Sequence, residues 1–436
     1  YGILYRKEIR TGWLEPENRP AWWIGLVIIV IITGIKLVDL STFPHFLKTY
    51  AAQTGRWGMH AVEGNWPRNL FQGRGFDLRG GGESPLMVPI LWLVMKIAGI
   101  NVFSVRFTEV IGSTVLLLIF WSWVRVSIPG IWSCLALVMF GLSPWHIAQS
   151  RMGTFFSISA AIAIGLLWSA QNAWLKERFR SSLLWWGLLG FFAGSIGWCY
   201  APMKVLYVFF LGAIPTIVFL KGFKSKGWWA GPLVAIGVFS SLMGLQLSSV
   251  QNPSSMFRSH FGPLATDNPV WRKTVDDKVQ PGVQPVPVIA HNVKRNAVHW
   301  MRKTFRERGL QSMYKASLVL SFAVAILCIV FRWNLVLGLY YLIGLLPPLI
   351  VFPLHRRTLI IWPLIYVATV LLLREINITG SALFRNKSLK KIVPVVICIC
   401  LVLIMFQNMH LLLKRWSIVY DHTYFGPPRR LTAMKR

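Results

Sequence analysis

The chain has 436 residues, of which 55% are hydrophobic and only 14% are charged. This composition excludes an ordinary soluble globular protein, and repeated apolar windows long enough to cross hydrocarbon indicate an all-α polytopic membrane protein. The formal net charge of +31 could suit nucleic acid, but most Lys and Arg residues lie in short runs beside apolar segments, as the positive-inside rule describes. We therefore expect an integral inner (cell) membrane protein with no nucleic-acid partner.

The N-terminal segment 1–20 is basic and precedes an apolar run from Ala21 to about Ser41. Positive charge before a first span places the N-terminus in the cytoplasm, so this span exits outward. Lys36 and Asp39 lie about one helical turn apart near its outer end. We expect them to pair with each other or to meet lipid headgroups, and we favour a structural role at the interface.

An outer loop, 42–100, follows the first span and ends in the apolar run Leu86–Ile100, which is too short to cross a bilayer. We interpret this run as an interfacial helix, because counting it as a span would move later basic clusters outside.

A second outer loop at 250–312 separates an N-terminal transmembrane module, 21–249, from a C-terminal one, 313–413. The odd number of spans places the tail, 414–436, outside. About eleven spans are expected in all, the later ones at about 103–124, 131–148, 153–174, 182–199, 204–220, 228–249, 314–331, 334–353, 358–373 and 392–413.

The stretch from His60 to Leu86 holds three of the fifteen acidic residues of the chain, Glu63, Asp77 and Glu83, among Gly, Arg and Trp residues. Such a mixture suits a shaped polar pocket, and these three carboxylates are the candidate catalytic groups. An ordinary solvated loop is the competing interpretation.

Basic residues recur where predicted spans meet the outer interface. If they converge, they could bind a lipid-linked phosphate, whereas each one alone is better explained by anchoring to headgroups. No metal-ligand spacing is present, so we expect no metal and no cofactor. The candidate phosphate-binding residues are Arg151, Lys204, Arg356 and Arg357, and His60 and Tyr200 complete the predicted pocket.

Several spaced motifs occur in a fixed order: an acidic outer loop, KIAGINVFSVRFTEVIGS, LSPWHIAQSRMGT, GFFAGSIGWCYAPMK and RRTLIIWPLIYVATVLLL. In this order they resemble the GT-C superfamily of integral-membrane glycosyltransferases. Within that superfamily the chain is similar to bacterial relatives of dolichyl-phosphate-mannose protein mannosyltransferases and of aminoarabinose transferases. The resemblance implies transfer of a sugar from a polyprenyl-phosphate carrier to an acceptor on the outer face of the membrane.

The same resemblance implies an Asp-Glu pair in the first outer loop, with the Asp as general base. Val62 and Glu63 stand at the corresponding positions, so one carboxylate is missing. A second acid, expected shortly after the Ser-Arg pair, is replaced in the segment from Gly153 to Phe156. Either the base has moved to Glu63 or Glu83, or the scaffold has lost transfer activity.

These observations leave several functions open. The first is a glycosyltransferase that binds membrane lipids and a polyprenyl-phosphate-linked sugar. The alternative is a catalytically inactive scaffold or accessory subunit of a larger membrane complex, with partner membrane subunits. Polymerases and ligases of undecaprenyl-linked glycans share the architecture. A transporter is disfavoured because few ionisable residues lie within the spans, where Arg106 and Glu109 form the one obvious pair.

Overall fold

Helices are the only regular elements in the part of the chain that the computed structural model describes. That part comprises residues 20–41, 49–64, 85–128, 130–175, 179–199, 201–221, 229–248, 335–350, 362–383 and 396. Short 3-10 turns occupy Pro85–Met87, Ile196–Trp198 and Ala201–Val205. The helices are α1 (Trp22–Leu37), α2 (Thr49–Val62), α3 (Val88–Ala98), α4 (Val102–Ser127), α5 (Ile131–Gly141), α6 (Pro144–Arg151), α7 (Phe156–Leu175), α8 (Phe179–Ser195), α9 (Leu206–Lys221), α10 (Ala230–Ser248), α11 (Leu335–Ile350) and α12 (Trp362–Leu383).

Two of the described helices, α4 over Val102–Ser127 and α7 over Phe156–Trp174, are long and apolar enough to cross a membrane. Helices α1, α3, α5, α8, α9 and α10 are apolar but shorter. The expected helical architecture is confirmed within the described residues, whereas the count of eleven spans stays a prediction. The predicted spans at 314–331 and 392–413 lie outside the described residues.

The predicted span at 131–148 is wrong as a single helix. Helix α5 ends at Gly141, and α6 begins at Pro144 after a turn. The Ser143 side chain accepts a hydrogen bond from the His146 N–H at 3.2 Å, so Ser143 caps the new helix. A proline in the first turn fits beside it because that turn needs no intrahelical N–H donor. The dipeptide Ser143-Pro144 therefore starts a helix at this point.

The chain divides into two compact units. The first contains α1 to α6, the start of α7, and α12. Here α1 packs against α4, and Gly25 leaves room for the ring of Trp121. The Trp121 Nε1 donates to the Trp22 carbonyl at 3.2 Å, and the Arg125 guanidinium lies 5.3 Å from the centre of the Trp22 ring. These contacts fix the N-terminal end of α1 on α4.

The second unit contains the rest of α7 and helices α8 to α11. Helices α8 and α10 approach closely, since Gly190 lies against the Ala235 carbonyl and Gly231 against the ring of Trp186. Any larger side chain at Gly190 would meet main-chain atoms. Close approach through small residues is the usual way for apolar helices to pack where water does not drive association.

Candidate functional site

The turn that follows α1 holds a carboxylate in an unusual backbone conformation. Residues Val38 to Ser41 form this turn, and Asp39 has a φ of 51°. A positive φ is uncommon for a residue other than Gly and persists only where the surroundings impose it. The Asp39 side chain is exposed, whereas the next residue, Leu40, is buried. The turn therefore presents a carboxylate at the end of α1.

Two buried arginines hold this turn through its carbonyl groups. Arg106 on α4 donates from Nη1 to the Leu40 oxygen at 2.9 Å and to the Ser41 oxygen at 3.4 Å. Arg151, the last residue of α6, donates from Nη1 to the Lys36 oxygen at 3.3 Å. Carbonyl groups at a helix C-terminus lack intrahelical partners and attract cations, so both arginines stabilise the end of α1.

The two guanidinium groups also interact with each other and with Asp39. Arg106 and Arg151 are only 2% and 3% exposed and lie close enough to repel each other. Burial lowers the pKa of the Arg151 guanidinium, and the Asp39 carboxylate acts in the opposite direction. Asp39 thus offsets part of the repulsion between two buried cations.

A buried lysine lies directly below the turn. Lys36 Nζ is 2.8 Å from His146 Nε2 on α6 and donates to Ser113 Oγ on α4 at 3.0 Å. The Ser113 hydroxyl itself donates to the Val110 carbonyl at 2.9 Å. The His146 ring packs against Phe140, with 4.7 Å between the ring centres. Lys36 was expected to pair with Asp39 or to meet lipid headgroups in a structural role at the interface, and the headgroup alternative is wrong, because the Lys36 side chain is fully buried between helices.

Glu109 supplies the opposite charge to Lys36. Its Oε1 accepts hydrogen bonds from the Ser157 N–H at 3.0 Å and from the Ser157 hydroxyl at 2.6 Å. Its Oε2 has no hydrogen-bond partner within the described residues. Five charged side chains form a cluster around the end of α1: Lys36, Asp39, Arg106, Glu109 and Arg151. With all five side chains ionised, this cluster has one excess positive charge, which suits an anionic ligand.

Of the site residues predicted from sequence, one lies in this cluster and two lie elsewhere in the first unit. Arg151 belongs to the cluster. Glu63 follows the last residue of α2, is 49% exposed, and has its Oε2 at 3.7 Å from His60 Nδ1. Lys204 lies in the turn Ala201–Val205 of the second unit. Asp77, Glu83, Tyr200, Arg356 and Arg357 lie outside the described residues, and their roles stay predictions.

Val62 and one residue of the segment from Gly153 to Phe156, where the two acids were expected, meet in one apolar cluster. Phe155 is fully buried with Met87, Leu91, Met95 and Val105, and Val62 packs against the same group. Both residues therefore contribute to a hydrophobic cluster of the first unit. An Asp at position 155 would have to bury its carboxylate among apolar side chains, and an Asp at position 62 would do so in part.

The sequence interpretation missed Arg106 and Asp39 as members of a site. It treated Arg106 as half of an i, i+3 pair with Glu109, whereas Glu109 binds Ser157 and Arg106 binds the turn. The available signal was position, because Asp39 lies at the predicted outer end of the first apolar run. The spacing of residues 39, 106 and 151 in the sequence does not predict that they lie close together.

Comparison with known proteins gives a fold but no close relative. No family model matches the sequence, and no curated protein sequence matches it. The structure superposes on the archaeal oligosaccharyltransferase AglB from Archaeoglobus fulgidus, solved with an inhibitory peptide and a dolichol-phosphate, with a TM-score of 0.56 and 12% identity. The match covers 94% of this chain and 57% of that one.

The chain shares the overall fold of AglB. ArnT from Cupriavidus metallidurans also matches, with TM-scores of 0.36 in the apo state and 0.34 when bound to undecaprenyl phosphate. Identity is 12% in both cases, and the matches cover 79% and 80% of this chain and 77% and 78% of the ArnT chains. The likeness to AglB agrees with the fold expected from the spaced motifs, and membership of the GT-C superfamily stays a prediction.

Proposed function

We propose that the protein is a membrane glycosyltransferase that transfers a sugar from a polyprenyl-phosphate carrier to an acceptor on the outer face of the membrane. The observation that carries the proposal is the exposed Asp39 carboxylate, held in a strained turn by two buried arginines. Strain of this kind at a polar, charged position is typical of functional sites. The AglB structure with the same fold holds a dolichol-phosphate, which is a lipid phosphate of the proposed class.

In the proposed reaction the acceptor hydroxyl oxygen attacks the anomeric carbon of the sugar. The hydroxyl proton passes to the Asp39 carboxylate, the bond between the anomeric carbon and the phosphate oxygen breaks, and polyprenyl phosphate leaves with the electron pair. Arg151 stabilises the negative charge that develops on the phosphate, because a guanidinium can donate two parallel hydrogen bonds to its oxygens. Arg106 keeps the turn in place.

Asp39 is a better candidate base than Glu63. Both carboxylates are exposed, but Glu63 follows the end of α2 and faces His60, whereas Asp39 lies beside a buried guanidinium. The reaction takes a proton from the acceptor hydroxyl and releases a negatively charged phosphate. It therefore needs a carboxylate and a cation near one another. The roles proposed for Glu63, Asp77 and Glu83 from sequence remain open beside this one.

The test is a transfer assay in proteoliposomes that contain the purified full chain. Undecaprenyl-phosphate mannose and undecaprenyl-phosphate aminoarabinose, each labelled in the sugar, are offered with native membrane lipids and proteins as acceptors. We expect the label to move to an acceptor and undecaprenyl phosphate to be released. A wild-type protein that binds undecaprenyl phosphate but releases none from either donor would contradict an enzyme for these donors.

The second candidate is a scaffold that binds a lipid phosphate without transferring a sugar. The specific observation that favours it is the apolar cluster that contains Phe155 and contacts Val62, since the resemblance placed acids there. Binding of undecaprenyl phosphate without turnover, together with a stoichiometric partner after purification from native membranes, would support this function.

A further inference from the structure

Lys36 is the residue that joins the end of α1 to both ends of α6. Its ammonium lies 2.8 Å from Nε2 of His146 in the first turn of α6, and its carbonyl accepts a hydrogen bond from Arg151 at the last residue of that helix. The two attachments use different parts of one residue. Rotation or sliding of α1 relative to α6 would break at least one of them.

The hydrogen-bond partners of Lys36 can all be satisfied by a charged ammonium. The Ser113 hydroxyl donates to Val110 O, so its oxygen is available to accept from Lys36. If the ammonium carries its three protons, it donates to both Ser113 and His146, and His146 then accepts at Nε2 and holds its proton on Nδ1. A buried ammonium with two acceptors and a nearby carboxylate, Glu109, meets the conditions under which a buried charge is tolerated.

This arrangement lies directly before the turn that carries Asp39. Lys36 is three residues ahead of Asp39, and the turn begins at Val38. Arg151 binds the Lys36 carbonyl and acts electrostatically on Asp39. Any movement of Lys36 therefore changes the relation between the Asp39 carboxylate and the Arg151 guanidinium.

We infer that Lys36 is a positioning residue, which fixes the Asp39 carboxylate relative to Arg151 by tying the last turn of α1 to α6 through His146. The inference rests on the proposed function only for its catalytic consequence. The structural part, that Lys36 holds the turn from Val38 to Ser41, stands independently of turnover. Lys36 itself touches no substrate.

The test compares K36M with T33V. Met is similar to Lys in length and keeps the apolar contacts but removes the ammonium. Thr33 Oγ1 lies 3.1 Å from Thr114 Oγ1, so T33V also breaks a contact between α1 and α4, one turn away and without involving α6. T33V is therefore a matched control for loss of a polar contact between helices.

The first measurement is hydrogen exchange of the peptide that covers residues 36–41, followed by mass spectrometry of the full chain. We expect exchange in K36M to be faster by about ten-fold or more, because the turn loses a tie to α6, and unchanged in T33V. Unchanged exchange in K36M, or equal acceleration in both variants, would overturn the inference. This measurement tests the role of Lys36 even if the protein shows no transfer activity. The absence of transfer would contradict the proposed function alone.

The second measurement uses the transfer assay where the wild type turns over. We expect K36M to lower kcat by about ten-fold to a hundred-fold with little change in donor KM, since a displacement near 1 Å at a reacting group has this effect. A K36M enzyme with wild-type kcat, or with a raised KM alone, would overturn the inference.

If K36M does not fold, H146Q and H146L replace it. The Gln oxygen can accept from Lys36 and Leu cannot, so H146Q should keep slower exchange than H146L, and equal exchange in the two would overturn the inference.

Discussion

Ser157 donates two hydrogen bonds to a single oxygen of Glu109, one from its N–H at 3.0 Å and one from its hydroxyl at 2.6 Å. This pair joins the start of α7 to α4 below the Asp39 turn. Because Glu109 is also the opposite charge to Lys36, the pair connects the chain segment after α6 with the polar cluster that holds α1.

Replacement of Glu109 by Ala should destabilise the first unit strongly. The change leaves Lys36 as a buried charge without its counter-charge and removes the acceptor for Ser157, and breaking a buried pair in this way costs about 3–5 kcal/mol. Thermal unfolding in detergent measures the effect. E109Q, which keeps an acceptor oxygen, should lose less, and S157A should lose about 1–3 kcal/mol. Equal stability of E109A and the wild type would show that the pair is not structural.

Replacement of Arg151 by Lys should weaken binding of undecaprenyl phosphate by about ten-fold or more. Lys keeps the positive charge but cannot donate two parallel hydrogen bonds to phosphate oxygens. Binding to the purified protein can be measured by native mass spectrometry. K96Q, which removes an exposed charge on α3, is the control for a general effect of charge. An equal loss in R151K and K96Q would contradict a specific role for Arg151.

Introduction of an acid at position 62 should not create activity. Val62 packs against an apolar cluster, so V62D should lower stability by at least about 2 kcal/mol through unfavourable burial of a carboxylate. V62L, an apolar change of larger size, controls for altered volume. A gain of sugar transfer in V62D would mean that position 62 faces the reacting groups and that the apolar interpretation is wrong.

In the second unit, G190A should be far more destabilising than G237A. A Cβ at Gly190 would meet the Ala235 main chain, whereas a Cβ at Gly237 meets nothing within 4 Å. Overpacking against backbone costs about 1–3 kcal/mol, while Ala in place of Gly on an open helix face is neutral or favourable. Unfolding of the two variants by heat compares them directly. Equal stability would show that α8 and α10 are not in close contact.

The sequence alone predicted the helices, because apolar runs are local properties. The GT-C resemblance and the role of Arg151 stay predictions. The sequence did not predict that the expected span at 131–148 is interrupted and that a new helix, α6, begins at Pro144. Ser143 and Pro144 are nevertheless residues typical of a helix start. The sequence interpretation also missed the group formed by Lys36, Arg106 and His146. These residues are far apart in sequence, and only packing of α1, α4 and α6 brings them together.

The sequence predicts candidate catalytic residues in the stretch from His60 to Leu86 because acidic residues are rare in this chain and three of them lie there. A single carboxylate next to an apolar run looks like an interfacial residue, and its backbone conformation cannot be read from sequence. Asp39 becomes a candidate base only when its positive φ and the arginines beside it are known.

The most direct test of the proposed function is the turnover of D39N in the transfer assay, with E63Q measured beside it. We predict that D39N lowers kcat by about 10²-fold to 10⁴-fold, the usual contribution of a general base, while binding of undecaprenyl phosphate is retained. We predict a much smaller loss for E63Q, whose carboxylate faces His60. Wild-type turnover in D39N, or a larger loss in E63Q, would contradict Asp39 as the base.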